Sequence, residues 1–349
     1  MTFVIGRGEG ESLEERPAGK LGTYRALDGS SGAPLYIDLD RPHAMLVVGK
    51  RGYGKSYTLG VIAEGLARAE GVAPVVVDPM GVFDTLADES RGSPVPAAVM
   101  TAPPVRPNVL DPRSWCTLLE LSPESGAGGL VWQAAEAHAS LAGMRQYVAN
   151  ADAPGTDKRA AINHLDLADS WGVFDETGVS AADLAGPEIS VVDVSELDSA
   201  PMNAVARAVG EALYRARIER KIDRLPWLLF DEVHTFFDGV ASAALETILT
   251  RGRAPGVSLV MATQRPSAVP PVGVSQSDVI VSHRLTSGAD IEALKATQPT
   301  YMDASLEERM PTETGDVIVI DDATETVHAA TVRRRDTPHG GDSPRASEL

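Results

Sequence analysis

The chain of 349 residues carries 49 acidic against 31 basic side chains, a net charge of −18, and is 43% hydrophobic. This length can bury a large core and this apolar content fits a soluble globular protein, while no apolar run approaches the roughly 20 residues of a membrane span. Only 6 of the basic residues are Lys, and so acidic a surface repels nucleic acid on average, which confines any DNA contact to a local basic surface such as the pore of a ring.

The first residues are polar, with four acidic side chains between Glu9 and Glu15, so no signal peptide is read there. Cys116 is the only cysteine and cannot form an internal disulfide. Both features point to the cytoplasm, and Cys116 reads as a small residue on a helix. Residues 1–41 form a short N-terminal segment, below normal domain size, in which alternation predicts a strand from Leu35 to Leu39.

Pro42 and His43 lead into a buried strand, Met45 to Val48. Gly49, Gly54, Lys55 and Ser56 then fill the fixed positions of G-x-x-x-x-G-K-[ST], with Lys50, Arg51, Gly52 and Tyr53 between them. Glycines let successive backbone N–H groups converge on a phosphate, and the following helix adds its dipole. Lys55 supplies a charge for the β and γ phosphates and the Ser56 hydroxyl a ligand for Mg2+, which implies ATP and Mg2+ as the bound species. The residues expected to touch nucleotide are Gly49, Arg51, Gly52, Tyr53, Gly54, Lys55, Ser56 and Tyr57. Beyond them Leu59, Ile62, Ala63 and Leu66 recur at helical spacing.

Val75 to Val77 is a second buried strand, and Asp78 at its end reads either as a neighbour of the nucleotide or as a turn former. The Pro-rich stretch from Ser90 to Pro107 predicts a loop holding one short strand. Helix starts at Asp111-Pro112, Ser122-Pro123 and Thr156-Asp157 make residues 111–185 a helical insertion. Ile189 to Val194 returns to the sheet, and Pro201 to Lys221 is a long helix.

Trp227 to Phe230 is a strand ending in Asp231 and Glu232, the Walker B arrangement. It places Asp231 across from Ser56 to order Mg2+ and leaves Glu232 to polarise water. A helix from Leu245 to Thr250 runs into Arg251-Gly252-Arg253. The next strand, Val257 to Ala262, ends at Gln264, which reads as a γ-phosphate sensor or a loop cap. A strand from Val279 to Arg284, a helix from Asp290 to Thr297 and a hairpin of Asp316–Ile320 with Thr326–Val332 follow. Residues 336–349 have no apolar period and predict a disordered tail.

HAMLVVGKRGYGKSYTLGVI, VVVDPMGVFDTL, VVDVSEL, LLFDEVH, RGRAPGVSLVMATQRPSAV and SQSDVIVSHRL resemble the HerA branch of the HerA/FtsK superfamily of P-loop motors, over about Ile37 to Val332. The acidic, lysine-poor composition resembles that of proteins from salt-loving archaea. The first resemblance implies an α/β, RecA-like P-loop NTPase over residues 42–335, with a mainly parallel central sheet, the helical insertion and a C-terminal β-hairpin. It also implies a homo-oligomer, a hexameric ring with nucleotide between subunits, that draws double-stranded DNA through its pore. Lys55 and Ser56 take the P-loop role, Asp231 and Glu232 Walker B and Gln264 the sensor. Arg253, or else Arg251, is presented in trans to a neighbour's transferring phosphoryl group. Arg51 and Tyr53 lie where such a neighbour meets the loop. Members of this branch carry an N-terminal barrel that docks a NurA-type nuclease, and residues 1–41 are too short for a complete barrel, which weighs against that partner.

Two functions follow from these residues, a DNA-translocating ATPase and an ATP-gated assembly or regulatory protein that shares the motor core without moving DNA. An ABC ATPase is disfavoured because no LSGGQ-like signature lies between the nucleotide motifs, and a GTPase because N-K-x-D is missing.

Overall fold

The computed structural model describes residues 3–7, 16–26, 28–88, 95–295 and 309–340. In chain order it begins with strands β1 (Val4–Ile5), β2 (Ala18–Arg25), β3 (Ser31–Asp38) and β4 (Ala44–Val48), then helix α1 (Lys55–Leu66). Strands β5 (Val72–Asp78) and β6 (Ala97–Thr101) precede helices α2 (Pro112–Leu118), α3 (Gly126–Ala137), α4 (Leu141–Asn150), α5 (Gly155–Ser170) and α6 (Ala181–Leu184). Next come β7 (Ile189–Asp193), α7 (Ser199–Ile218), β8 (Leu225–Phe230), α8 (His234–Phe237), α9 (Ser242–Arg251) and β9 (Ser258–Thr263). The chain closes with α10 (Pro271–Ser275), β10 (Val279–Ser282), α11 (Gly288–Lys295), β11 (Asp316–Asp321) and β12 (Thr326–Val332). The far end of the helix expected to reach Thr297 lies outside the described residues.

The apolar runs of β10, β4, β9, β8, β5 and β7 are buried on both faces, as central parallel strands require, while β6 is a largely exposed edge strand. They lie in the order β10-β4-β9-β8-β5-β7-β6, every neighbouring pair parallel. Side chains alternate across this sheet. Leu46, Val48, Leu228, Phe230, Leu259 and Met261 face one core layer together with α7 and α9. Met45, Val47, Leu229, Val260 and Ala262 face the other, against α1. The sheet then runs on through the antiparallel hairpin β11–β12 to β2 and β3, with β1 at its edge. The N-terminal strands therefore extend the central sheet, and β2 was not foreseen.

The inserted helices carry a core of their own, with Trp115, Leu130, Met144, Val148 and Leu165 buried together. Asp111 caps α2 as read, accepting from the Ser114 amide at 2.8 Å. The start expected at Ser122-Pro123 falls three residues later, where Ser125 caps α3, and α4 has an unread cap at Ser140. Buried Arg207 on α7 holds Asp111 at 2.7 Å and also bonds Ser114, tying the insertion to the sheet layer. Cys116 is buried and donates to the Gly128 carbonyl at 3.5 Å, and burial pushes its thiol up, which fits a packing role. Residues 336–340, expected as tail, are instead docked on α1, where the amides of Asp336 and Thr337 each reach Glu64 Oε1 at 2.9 Å. Residues 341–349 lie outside the described residues.

At the N-terminal edge of the parallel strands, buried His43 bridges Asp278 at 2.9 Å and Asp38 at 3.3 Å, and Arg7 pairs with Asp38. Burial alone would lower the imidazole pKa, but the hydrogen bonds and charges of Asp278 and Asp38 outweigh it and lift it to about 9. Protonated His43 is thus favoured by folding. The stability it contributes is fully present below the unfolded value of roughly 6.5 and is lost as pH rises through about 9. Urea midpoints should fall between pH 7 and pH 10, and His43→Gln should flatten that alkaline limb; an unchanged slope in the variant would assign the loss to other groups.

Candidate nucleotide site

The loop between β4 and α1 stands at the C-terminal edge of the parallel strands, where crossover connections leave room for ligands. Gly54 has φ +104°, a left-handed conformation that suits glycine. Gly49 passes so close to His283 that a Cβ there would lie 2.5 Å from the histidine Cβ. The loop is tied to the segment after β10, with the Lys50 amide donating to the Arg284 carbonyl at 2.8 Å. The amides of Gly54, Lys55, Ser56 and Tyr57 make no backbone hydrogen bond among the described residues, which leaves converging donors at a helix N-terminus. A phosphate fits that cradle.

Strand β9 separates β4 from β8, and the three lie in register, so β8 delivers its terminal carboxylates beside the loop. Ser56 Oγ donates to Asp231 Oδ2 at 2.6 Å. Asp231 is fully buried, and burial raises its pKa although the Ser56 hydrogen bond opposes this. A hydroxyl and a carboxylate oxygen side by side are the hard donor set that suits Mg2+. Lys55 is buried too, which lowers its pKa against the opposing charges of Glu232 and Asp231, and its Nζ lies 4.0 Å from Glu232 Oε1.

Glu232 adopts φ +43°, a strained conformation for a non-glycine residue, and its carbonyl is held by the Thr235 amide at 3.0 Å and hydroxyl at 2.9 Å. Its carboxylate accepts from the Gln264 amide at 3.5 Å and faces His234 Nδ1 at 3.3 Å. Lys55, Ser56, Asp231, Glu232 and Gln264, drawn from three separate stretches of sequence, therefore meet at one sheet edge. Arg51 and Gly52 are exposed at the loop's crest and Tyr53 lies beneath the Lys50 ammonium, 4.9 Å from its ring centroid. Tyr57 begins the wall of an adjoining cavity.

Arg251 and Arg253 are not brought to this site. Arg253 borders a groove with His43, Ala44 and Leu259, at the other end of β4 and β9, about 13 Å away by strand rise. Both arginines are exposed. Asp78 resolves as a turn former, with its carboxylate accepting from the amides of Met80, Gly81 and Phe83. Burial, with Asp231 and Asp193 adding, raises it to about 6.

Two histidines to which the sequence motifs give no role also stand at the site. His234 touches Glu232 and the Thr263 hydroxyl, at 3.1 Å, and His283 underlies the loop with its Nε2 2.9 Å from Thr58 Oγ1. The sequence signals for His283 are its place directly after a buried strand and within the segment SQSDVIVSHRL.

A parallel sheet with an inserted strand between the phosphate-loop strand and the carboxylate strand, carrying these residues at its edge, defines a RecA-like P-loop ATPase class. The family Helicase HerA, central domain, matches residues 20–212, more than half of the chain, and the chain belongs to that family. Among solved structures it is similar to VirB4 of Thermoanaerobacter pseudethanolicus, at 15% identity and TM-score 0.67, over 94% of this chain and 98% of that one. It is also similar to the bacterial conjugative coupling protein TrwBdeltaN70, at 14% identity and TM-score 0.57, over 97% and 99%. These likenesses concern the fold. No curated protein matches the chain, and among the described residues no helix is long and apolar enough to cross a membrane.

Burial, with Lys55 nearby, holds the His283 imidazole near a pKa of about 3, so it is neutral when folded. The unfolded chain binds that proton near pH 6.5, so this contribution to stability is complete above that value and is lost as pH falls toward 3. His283→Gln should soften the acid limb of a stability–pH curve measured by urea unfolding. Thr58→Val, which removes the partner of Nε2, should cost about 1–3 kcal/mol.

Proposed function

We propose that the chain hydrolyses ATP as the motor subunit of a hexameric ring acting on double-stranded DNA. The observation that carries this reading is the Ser56–Asp231 contact, which joins the two nucleotide motifs across 175 positions of sequence. The open amides of Gly54 to Tyr57 and the Lys55 ammonium bind the triphosphate. Ser56 and Asp231 would hold Mg2+, which when bound neutralises charge on the β and γ phosphates.

Glu232 polarises the attacking water and takes its proton as the water oxygen bonds to the γ-phosphorus. The bond to the β-phosphate oxygen breaks and ADP leaves. Gln264, whose backbone N–H donates to the Glu232 carboxylate, positions the water or senses the γ-phosphate through its side chain. Arg253, with Arg251 as the alternative, reaches the site of the next subunit, which suits their exposure and their distance from the loop of their own chain.

The net charge of −18 favours a second reading, an ATP-gated assembly or regulatory protein that does not move DNA. ATPase rates with and without duplex DNA, from low to molar salt, separate the two. The motor reading expects DNA to stimulate turnover, Glu232→Gln to lower kcat by about 10²- to 10⁴-fold with ATP still bound, and Arg253→Ala to silence mixed assemblies out of proportion to its share. Absence of stimulation by any DNA, with an oligomer mass indifferent to ATP, would favour the second reading.

A further inference from the structure

Against the phosphate loop lies a cavity of about 510 Å3 whose lining includes Lys55 to Thr58 but none of Asp231, Glu232 or Gln264. It therefore leaves the loop on the side away from the groups that act on the terminal phosphate. Its outer wall comes from Gly315 before β11, Val332 at the end of β12, and Arg334 and His339 in the segment beyond.

That segment, 333–340, is a strap clamped to α1. Glu64 is fully buried, forms an ion pair with the Arg333 guanidinium at 2.7 Å through Oε2, and accepts at Oε1 from the Thr337 hydroxyl at 2.7 Å and the amides of Asp336 and Thr337 at 2.9 Å each. So many charge-assisted bonds to one buried carboxylate fix the strap's path. The Arg335 amide also donates to the Tyr57 hydroxyl at 2.7 Å, and the Tyr57 and His339 rings meet edge to face with centroids 5.3 Å apart. The exposed Arg334 guanidinium makes no ion pair among the described residues, although the chain has an excess of carboxylates.

The cavity has the size of a small-molecule site, opens onto unsatisfied amides, and offers two aromatic rings with a spare cation at its rim. We infer that it is the nucleoside subsite, taking the ribose and the aromatic base of the nucleoside triphosphate between α1 and the C-terminal strap, with His339 and Tyr57 against the base. This assignment rests on the reading of the loop as a triphosphate site. It makes the strap part of nucleotide binding, so that nucleotide favours the docked strap and docking favours nucleotide.

Calorimetric titration with Mg-ATP and with Mg-tripolyphosphate, which has the phosphates and lacks the nucleoside, tests it. Wild type should bind ATP more tightly than tripolyphosphate. His339→Ala should weaken ATP by about fivefold or more and leave tripolyphosphate unchanged, and His339→Phe should restore ATP. Equal affinity of wild type for the two ligands, or parallel loss of both in His339→Ala, would overturn the subsite while leaving the loop assignment standing. Binding of neither ligand by wild type, or Lys55→Ala without effect on either, would remove the triphosphate site itself and the subsite with it.

Discussion

The hydrogen bond from Ser56 to Asp231, 2.6 Å long, depends on the register of three adjacent parallel strands. Val48 lies opposite Thr263 and Phe230 opposite Met261, so the strand that ends in the phosphate loop and the strand that ends in two carboxylates stop near the same level. A slip of one residue would turn Asp231 to the other face of the sheet. The apolar packing of both faces prevents that slip, since Leu229 and Val260 are buried in one layer and Leu228 and Met261 in the other. The chemistry at the edge is thus held by a core that contains none of it.

Much of this was legible in the residues because it is local. The loop, its strand and its helix are contiguous. Trp227 to Phe230 announces a buried strand, and the carboxylates after it have one plausible address once a phosphate loop is known. The closing hairpin and the Asp111 cap follow from short-range chemistry in the same way. What escaped depends on distant partners. Strand β2, AGKLGTYR, has three glycine or alanine positions and no clean alternation, and it becomes a strand by pairing with β12 and β3. Residues 336–340 carry no apolar period and are ordered by polar bonds to Glu64, a residue that looks like an ordinary helix-surface glutamate in the sequence. His283 matters only because β10 lies beside β4.

The charge distribution carries a similar lesson. Against a net −18, the loop region gathers Lys50, Arg51, Lys55, Arg265 and Arg284 beside the carboxylates of Asp231 and Glu232. Buried ionic groups elsewhere join elements that packing alone would leave loosely related. Arg207 ties the insertion to α7, Glu64 ties the C-terminal strap to α1, and His43 joins Asp38 of the N-terminal strands to Asp278 before β10. Arg207, Glu64, His43 and Asp38 are buried, so each relies on these partners to offset its charge or polarity in the interior.

The central claim is that the loop and the Asp231 carboxylate form one magnesium–nucleotide site. Thermal unfolding with and without saturating Mg-ATP tests it most directly, because a ligand at 100 times its Kd adds about 2.7 kcal/mol to the folded state. The account predicts a rise of several degrees for wild type and loss of most of that rise in both Lys55→Ala and Asp231→Asn. No rise in wild type, or an equal rise in all three proteins, would contradict it.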